Sequence, residues 1–184
     1  IPTGDDVVQE CGLGLVRIRR DDVLAFAAPD LLRSGPVDPS TSARVVTALG
    51  LGAEDVLACE WIVNGPEWIG VLLRDAEAVL AVTPDVAALQ GLSIGVVGAH
   101  PPGSECAVEV RGLFGAVEDP VTGSLNAGIG QWLIGVGVLP ESYVASQGTV
   151  LGRTGRVHVR RIDGQVWVGG ATITTVTGTG HLGV

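Results

Sequence analysis

The sequence contains no lysine; all eleven of its long basic side chains are arginine. That absence excludes a Schiff-base lysine and a phosphate-binding P-loop lysine from this chain. Methionine is missing too, and the chain opens Ile1-Pro2-Thr3, so it reads as processed or as a piece of a longer polypeptide. Ile1 to Asp6 lacks the basic and apolar regions of a signal peptide. Cysteine is scarce: Cys11, Cys59 and Cys106 are far apart and odd in number, with no CxxC pair. A disulfide framework or zinc site is therefore not expected; three reduced, mostly buried thiols in a cytoplasmic protein are. His100, His158 and His181 are scattered, so no metal site is expected. Charged residues make up only 17% of the chain, with a net charge of −9. Without a run of basic residues to neutralise phosphates, nucleic acid is excluded as a partner. No apolar run spans a membrane; Ile129 to Leu139 is too short and is broken by Gly130, Gly135 and Gly137.

What is abundant is apolar surface and glycine. An apolar share of 46% over 184 residues can build the core of one large domain, or of one domain plus part of another. The 28 glycines are spread among apolar runs, which suits tight turns rather than a linker. Leu15–Arg19 and Val23–Ala28 read as strands joined by the polar tip Arg20-Asp21-Asp22. Pro29 to Pro39 reads as a loop, and Ser40-Thr41-Ser42 as the cap of a short helix, Ala43 to Leu49, closed by Gly50 and Gly52. Val56–Val63 and Trp68–Leu73 form a hairpin pattern around Asn64-Gly65-Pro66. Pro84 to Leu89 is expected as a short helix, and Ser93–Gly98 and Ala107–Leu113 as strands. Further strands are expected at Tyr143–Ser146, Val157–Ile162, Gln165–Val168 and Thr172–Val176, with Asp163-Gly164 as a hairpin turn. The acidic pairs Asp5-Asp6 and Asp21-Asp22 read as solvated.

One stretch concentrates chemistry: Glu-Asp-Pro-Val-Thr-Gly-Ser-Leu-Asn, from Glu118 to Asn126. It sets a carboxylate, a rigid proline and a Thr-Gly-Ser turn before a helix whose apolar residues Leu125, Ile129, Trp132, Leu133 and Val136 share one face. Thr122 or Ser124 can cap the first turn, and Gly123 lets the backbone bend or be approached closely. The first amides of a helix lack internal partners and, with the helix dipole, favour an anion such as a carboxylate. An ordinary capped helix would show the same residues. Ala127, Gly128 and Gly130 make this helix thin, as a helix surrounded by strands would be.

Glu118 to Ser124, continuing Leu-Asn-Ala, resembles the signature of the phenazine-biosynthesis PhzF-like isomerase family. Ser146-Gln147-Gly148, Leu151-Gly152-Arg153 and Gly155-Arg156-Val157 resemble its Gln-Gly…Gly-Arg stretch, and Val166-Trp167-Val168-Gly169-Gly170 its closing hairpin. The resemblance implies an α+β, diaminopimelate epimerase-like fold: two pseudo-symmetric halves, each a β-rich barrel around a central helix, with the active site between them. Residues 1–36 would be a remnant of the first half, residues 37–170 the second half around a central helix at 123–136, and residues 171–184 a closing strand that returns to the first half. The family's early acid/base Glu and Gly-His motif have no counterpart before Glu118, and Gly98-Ala99-His100 is not that motif because Pro101-Pro102 follows.

The implied activity is a cofactor-independent proton shift on a small amino or carboxylic acid, with neither metal nor organic cofactor. Asp119 would hold the substrate amine or assist proton transfer, and Gly123 and Ser124 would bind the carboxylate. Thr122 and Asn126 complete the substrate-binding candidates, Thr122 reading more naturally as a cap. The epimerase branch uses two thiols, but this helix start carries Thr122, Gly123 and Ser124 instead, which disfavours a thiol-based racemase. The alternative is a non-catalytic small-acid binding module, or a structural half lacking the acid/base Glu. A homodimer, or pairing with the missing half, is the expected assembly. Arg153 and Arg156 read as surface arginines, and Trp61 and Trp68 as packing residues.

Overall fold

A computed structural model describes residues 6–20 and 22–180. His181, Asp5, Asp21 and the side chain of Asp6 lie outside the described residues, and with them the expectations placed on the two acidic pairs.

The strands are β1 (Asp6–Cys11), β2 (Gly14–Arg20), β3 (Leu24–Ala27), β4 (Arg33–Pro36), β5 (Val56–Val63), β6 (Trp68–Leu73), β7 (Ser93–Ala99), β8 (Val108–Phe114), β9 (Val117–Asp119), β10 (Ser142–Gln147), β11 (Gly155–Ile162) and β12 (Gln165–Gly170). The helices are α1 (Pro39–Leu49), α2 (Ala76–Ala81) and α3 (Gly123–Gly135). All twelve strands join one sheet, in the order β1-β2-β3-β12-β11-β10-β8-β7-β6-β5-β4, with β9 beside β8. The α+β, mostly sheet architecture agrees with the sequence reading.

The sheet curls around α3. The helix packs against β5 and β6 on one side and β11 and β12 on the other. Glycines make that approach possible. A Cβ on Gly128 would stand 2.8 Å from the Ile62 carbonyl oxygen, and one on Gly130 would stand 2.8 Å from Val159. Across the strands, a Cβ on Gly95 would overlap the Leu125 side chain. Leu125, Ile129, Leu133 and Ile134 fill the inner core with Ile62, Val97, Val110, Ala145, Val159 and Val168. So α3 is buried on nearly all sides rather than along one face, and Val136, expected on its apolar face, caps its end at 63% exposure. A helix apolar all round belongs inside a core.

Closure comes from the segment between β3 and β4. β3 pairs with β12 and β4 with β5, and between them the Ala28 amide donates to Val166 O and the Leu32 amide to Val63 O. Gln131 of α3 donates to Pro29 O and Gln165 of β12 to Ala28 O, both at 2.8 Å. The chain up to Pro36, expected as a remnant of another half, is thus hydrogen-bonded into this sheet.

A second core lies on the outer face of β6 to β8. Ile69, Val71, Leu73, Ile94, Val96 and Leu113 alternate with the inward residues and meet Val45, Ala48 and Leu49 of α1 and Val79 of α2. α1 is capped by Asp38 rather than by Ser40-Thr41-Ser42: Asp38 accepts from the Thr41 amide at 3.0 Å and from the Ser40 hydroxyl at 2.6 Å. The Ser40 hydroxyl, then the Thr41 amide, hold the Asp38 carboxyl well below the usual carboxylate range. Gly50 closes the helix in the left-handed region, as expected.

Other expectations are corrected. Pro84 to Leu89 contains turns but no helix; the short helix is α2, capped by Asp75. Arg33 to Pro36 is a strand, not loop, and β1 was not foreseen. Thr172 to Val176 forms no strand and is exposed, because no neighbouring strand offers its backbone a partner. Cys11 is exposed, against the expectation of burial, because it ends β1 at a turn. Among the described residues, no helix is long and apolar enough to cross a membrane.

Candidate active site

The Glu118-to-Asn126 stretch runs from β9 into α3, and its residues go to different neighbours. Glu118 forms a two-pronged ion pair with Arg111 of β8, at 3.0 and 2.8 Å. The remaining Arg111 nitrogen donates to Val82 O at 2.6 Å and Val79 O at 3.3 Å, at the end of α2. A guanidinium suits carbonyls at a helix C-terminus. Glu118 is therefore a structural tie between β9, β8 and α2.

Asp119, next in the strand, points its carboxylate to the Thr122 hydroxyl, which donates to it at 2.9 Å. Thr122 occupies the cap position but makes no side-chain cap bond, so the expected cap is not formed. It is only 7% exposed, and its hydroxyl also accepts from Gln147 at 2.9 Å. The amides of Gly123 and Ser124 have no acceptor among the described residues. Ser124 is held from both ends: its Oγ accepts from the Trp68 indole N–H at 3.0 Å, and its carbonyl accepts from Asn64 Nδ2 at 2.9 Å. Trp68 is otherwise a core residue, as expected.

Two cavities meet the helix start. Ser124 lines one of about 430 Å³, beneath the β1–β2 ribbon, with Val16, Ile18, Phe26, Asn64 and Pro66. Gly123 lines one of about 290 Å³ with Phe26, Val121 and Arg156. Phe26 borders both; a Cβ on Gly123 would come within 3.1 Å of its ring. Asp119 is half-buried and lines neither cavity. Asn126 points inward: it is 0% exposed, and its Nδ2 donates to Thr122 O and to Gln147 Oε1 at 2.9 and 2.8 Å. It faces neither cavity, because the barrel wall closes over the first turn of α3.

Two residues were missed by sequence reasoning. Gln147 of β10 is completely buried and makes four bonds to the motif: Oε1 accepts from the Thr122 amide and from Asn126, and Nε2 donates to Asp119 O and to the Thr122 hydroxyl. Gly148 follows it at φ 87°, where a Cβ would stand 2.7 Å from Pro120 O. The Gln-Gly pair and the Asp-Pro-Val-Thr motif are thus two sides of one lock. Asn64 was read only as a turn residue. It is 2% exposed, and its Oδ1 has no donor among the described residues although it borders the larger cavity. The signal for Gln147 was the Gln-Gly pair itself; nothing in the sequence singled out Asn64.

Arg156 pairs with Glu105 at 2.9 Å, and that partner holds the Glu105 carboxyl below its ordinary range. Arg153 is exposed, as expected. Cys106 lies in a separate cluster with His100, Glu109 and Ser146, where burial pushes its thiol up. No group of three or more His, Cys, Asp or Glu side chains converges as for a metal among the described residues.

Comparison with known proteins agrees with this architecture. The chain is 32% identical to the uncharacterized isomerase YddE of Escherichia coli K12, covering 67% of this chain and 47% of that protein. The YddE of Salmonella typhimurium matches at 31% identity over the same shares. The chain therefore spans about half the length of the curated relatives it matches. Among solved structures, a PhzF-family phenazine biosynthesis protein from Enterococcus faecalis superposes on 99% of this chain and 67% of its own, with TM-score 0.70 and 22% identity. One from Bacillus anthracis covers 91% and 66%, with TM-score 0.69 and 15% identity. The family model for phenazine biosynthesis-like proteins (PhzC-PhzF) matches residues 3–180, and the chain belongs to that family.

Proposed function

We propose that this chain supplies the carboxylate-binding half of a cofactor-independent isomerase that shifts a proton on a small amino or carboxylic acid. The observation that carries the reading is the start of α3: two amides without acceptors, Gly123 and Ser124, each bordering a cavity. Such amides, at the positive end of a helix dipole, stabilise a carboxylate and the charge that builds on it as the neighbouring C–H is ionised. Asp119 is the assigned proton-transfer or amine-holding group, with the Thr122 hydroxyl fixing its rotamer. Thr122 and Asn126 act through Asp119 and the helix backbone rather than by touching substrate.

A proton shift needs a second group to return the proton. That group, the family's acid/base Glu, would come from the remainder of a longer polypeptide or from a separate chain carrying the missing half. The isomerase name of the curated relatives and their greater length both support this arrangement. A homodimer in a reducing, cytoplasmic setting, where three free thiols persist, belongs to the same proposal.

The test is C–H exchange in deuterated water, followed by proton NMR, with a panel of small amino and carboxylic acids and the full-length protein. Exchange should occur and should fall at least 10³-fold in Asp119→Asn. Full exchange by that variant would reject the role given to Asp119. The other reading is a small-acid binding or structural half that lacks the acid/base Glu. It predicts that the present chain binds acids calorimetrically, or not at all, and never exchanges them.

A further inference from the structure

We propose, on the isomerase reading above, that buried Gln147 is a positioning residue for Asp119. Through the Thr122 hydroxyl it commits Asp119 Oδ2 to accepting a hydrogen bond, so Asp119 meets the substrate with Oδ1. Donors and acceptors here sort themselves by chemistry. The Thr122 backbone N–H can only donate, and it reaches one end of the Gln147 carboxamide at 3.1 Å. That end is therefore the carbonyl oxygen, Oε1. The Asp119 carbonyl can only accept, and it meets the other end at 2.9 Å, which is therefore the NH2. Two partners of opposite kind fix the carboxamide one way round. Asn126 agrees: the atom it places on Thr122 O must be Nδ2, which gives its second hydrogen to Oε1 at 2.8 Å.

The direction of the remaining bonds follows. Nε2 has two hydrogens. One goes to Asp119 O and the other to the Thr122 hydroxyl oxygen, 2.9 Å away. The hydroxyl has one hydrogen of its own, and its acceptor among the described residues is Asp119 Oδ2, at 2.9 Å. Gly112, opposite Asp119 across β8 and β9, leaves room for this relay: a Cβ there would stand 2.9 Å from the hydroxyl oxygen.

Thr122 is buried, so a proton placed on Oδ2 would strand the hydroxyl hydrogen without an acceptor. A proton arriving at Asp119 therefore settles on Oδ1. That oxygen accepts from no described residue and is open to solvent. In the proton shift the substrate C–H bond breaks and an Oδ1–H bond forms. The electron pair of the C–H bond stays on the substrate, so the negative charge passes from carboxylate to substrate. Oδ2 keeps its bond to Thr122 throughout, and the carboxylate does not turn.

Variants of the full-length protein test the relay by C–H exchange at saturating acid. Thr122→Val removes the hydroxyl and should slow exchange roughly 10²-fold with little change in KM. Thr122→Ser, which restores the hydroxyl, should recover most of that loss. Gln147→Glu keeps the shape and the Oε1 acceptor but exchanges the NH2 for an oxygen. At acid pH its O–H replaces the missing donor; once ionised, it draws the Thr122 hydroxyl away from Oδ2. Its deficit against the unsubstituted protein should therefore grow from acid to alkaline pH. A deficit equally large at every pH marks a merely structural role and overturns the relay, as does full exchange by Thr122→Val. Independently of turnover, the Thr122 hydroxyl hydrogen should give a slowly exchanging NMR signal coupled to the Asp119 carboxyl carbon. Absence of exchange in the unsubstituted protein would reject the isomerase reading, and this coupling would then decide the direction of the bonds; its absence overturns the relay.

Discussion

At the residue scale, Gln147 ties the motif together from outside it. Its carboxamide makes four hydrogen bonds, and all of it is buried. A buried hydrogen bond contributes about 1 kcal/mol net, and an orphaned buried donor costs about 1–3 kcal/mol. Gln147→Ala strands the Thr122 amide and leaves the Asn126 Nδ2 with only one of its two acceptors, Thr122 O. It should therefore lose between about 2 and 5 kcal/mol of stability in urea unfolding. A loss below about 0.5 kcal/mol would show that water replaces the carboxamide at no cost. The motif read from sequence thus divides by partner. Glu118 serves Arg111, Thr122 serves Asp119, and Asn126 serves Gln147, while Gly123 and Ser124 keep free amides. Local sequence shows which residue types are present. It does not show that a glutamine more than twenty residues downstream meets them, because that contact exists only once β10 lies against the helix start.

At the element scale, α3 departs from helix propensity. Glycine costs about 1 kcal/mol relative to alanine in a helix interior, so Gly128→Ala would stabilise an isolated helix. In the barrel, the new methyl meets the Ile62 carbonyl oxygen at 2.8 Å, and backbone cannot yield as a flexible side chain would. Overpacking typically costs about 1–3 kcal/mol, which outweighs the gain. Gly128→Ala should lower the melting temperature, whereas Gly135→Ala, with nothing within 4 Å, should not. Elements with strong local signals were legible: Val56–Val63 and Trp68–Leu73 are strands residue for residue, and Asp163-Gly164 makes the hairpin turn with both residues at positive φ. Weak ones were not. Arg33-Ser34-Gly35-Pro36 has no apolar alternation and becomes β4 only because β5 offers an edge. The six residues of α2 are too few to show a period, and Gly98 lies against the Asp75 backbone at its start. Thr172 to Val176 alternates like a strand but pairs with none of the described strands.

At the scale of the whole molecule, one sheet serves two cores, with α3 inside and α1 and α2 outside. Residues 171–180 belong to neither and are exposed throughout, Ile173 and Val176 among them. Truncation after Ala171 should change stability by less than about 0.5 kcal/mol, as surface changes usually do. A larger loss, read by thermal unfolding of the truncated chain, would mean that the tail packs somewhere in solution. The fold class was legible through the family resemblance of the Glu118-to-Ser124 and Gln147-Gly148 motifs, with which the many short strands and one glycine-thinned helix agreed. The wrapping itself was not, because strand order depends on pairings between distant segments.

The clasp between β3 and β4 has a kinetic consequence. Gln165 bonds Ala28 across 137 positions of chain. On the ribosome, this segment can join β5 soon after synthesis, but its bonds to β12 wait until that strand has emerged. In refolding, the entropy of closing so long a loop must be met before its reward arrives, and such topologies fold slowly. Until that late step, the greasy interior stands open like an unbuckled belt, and nascent chains are most vulnerable to clumping.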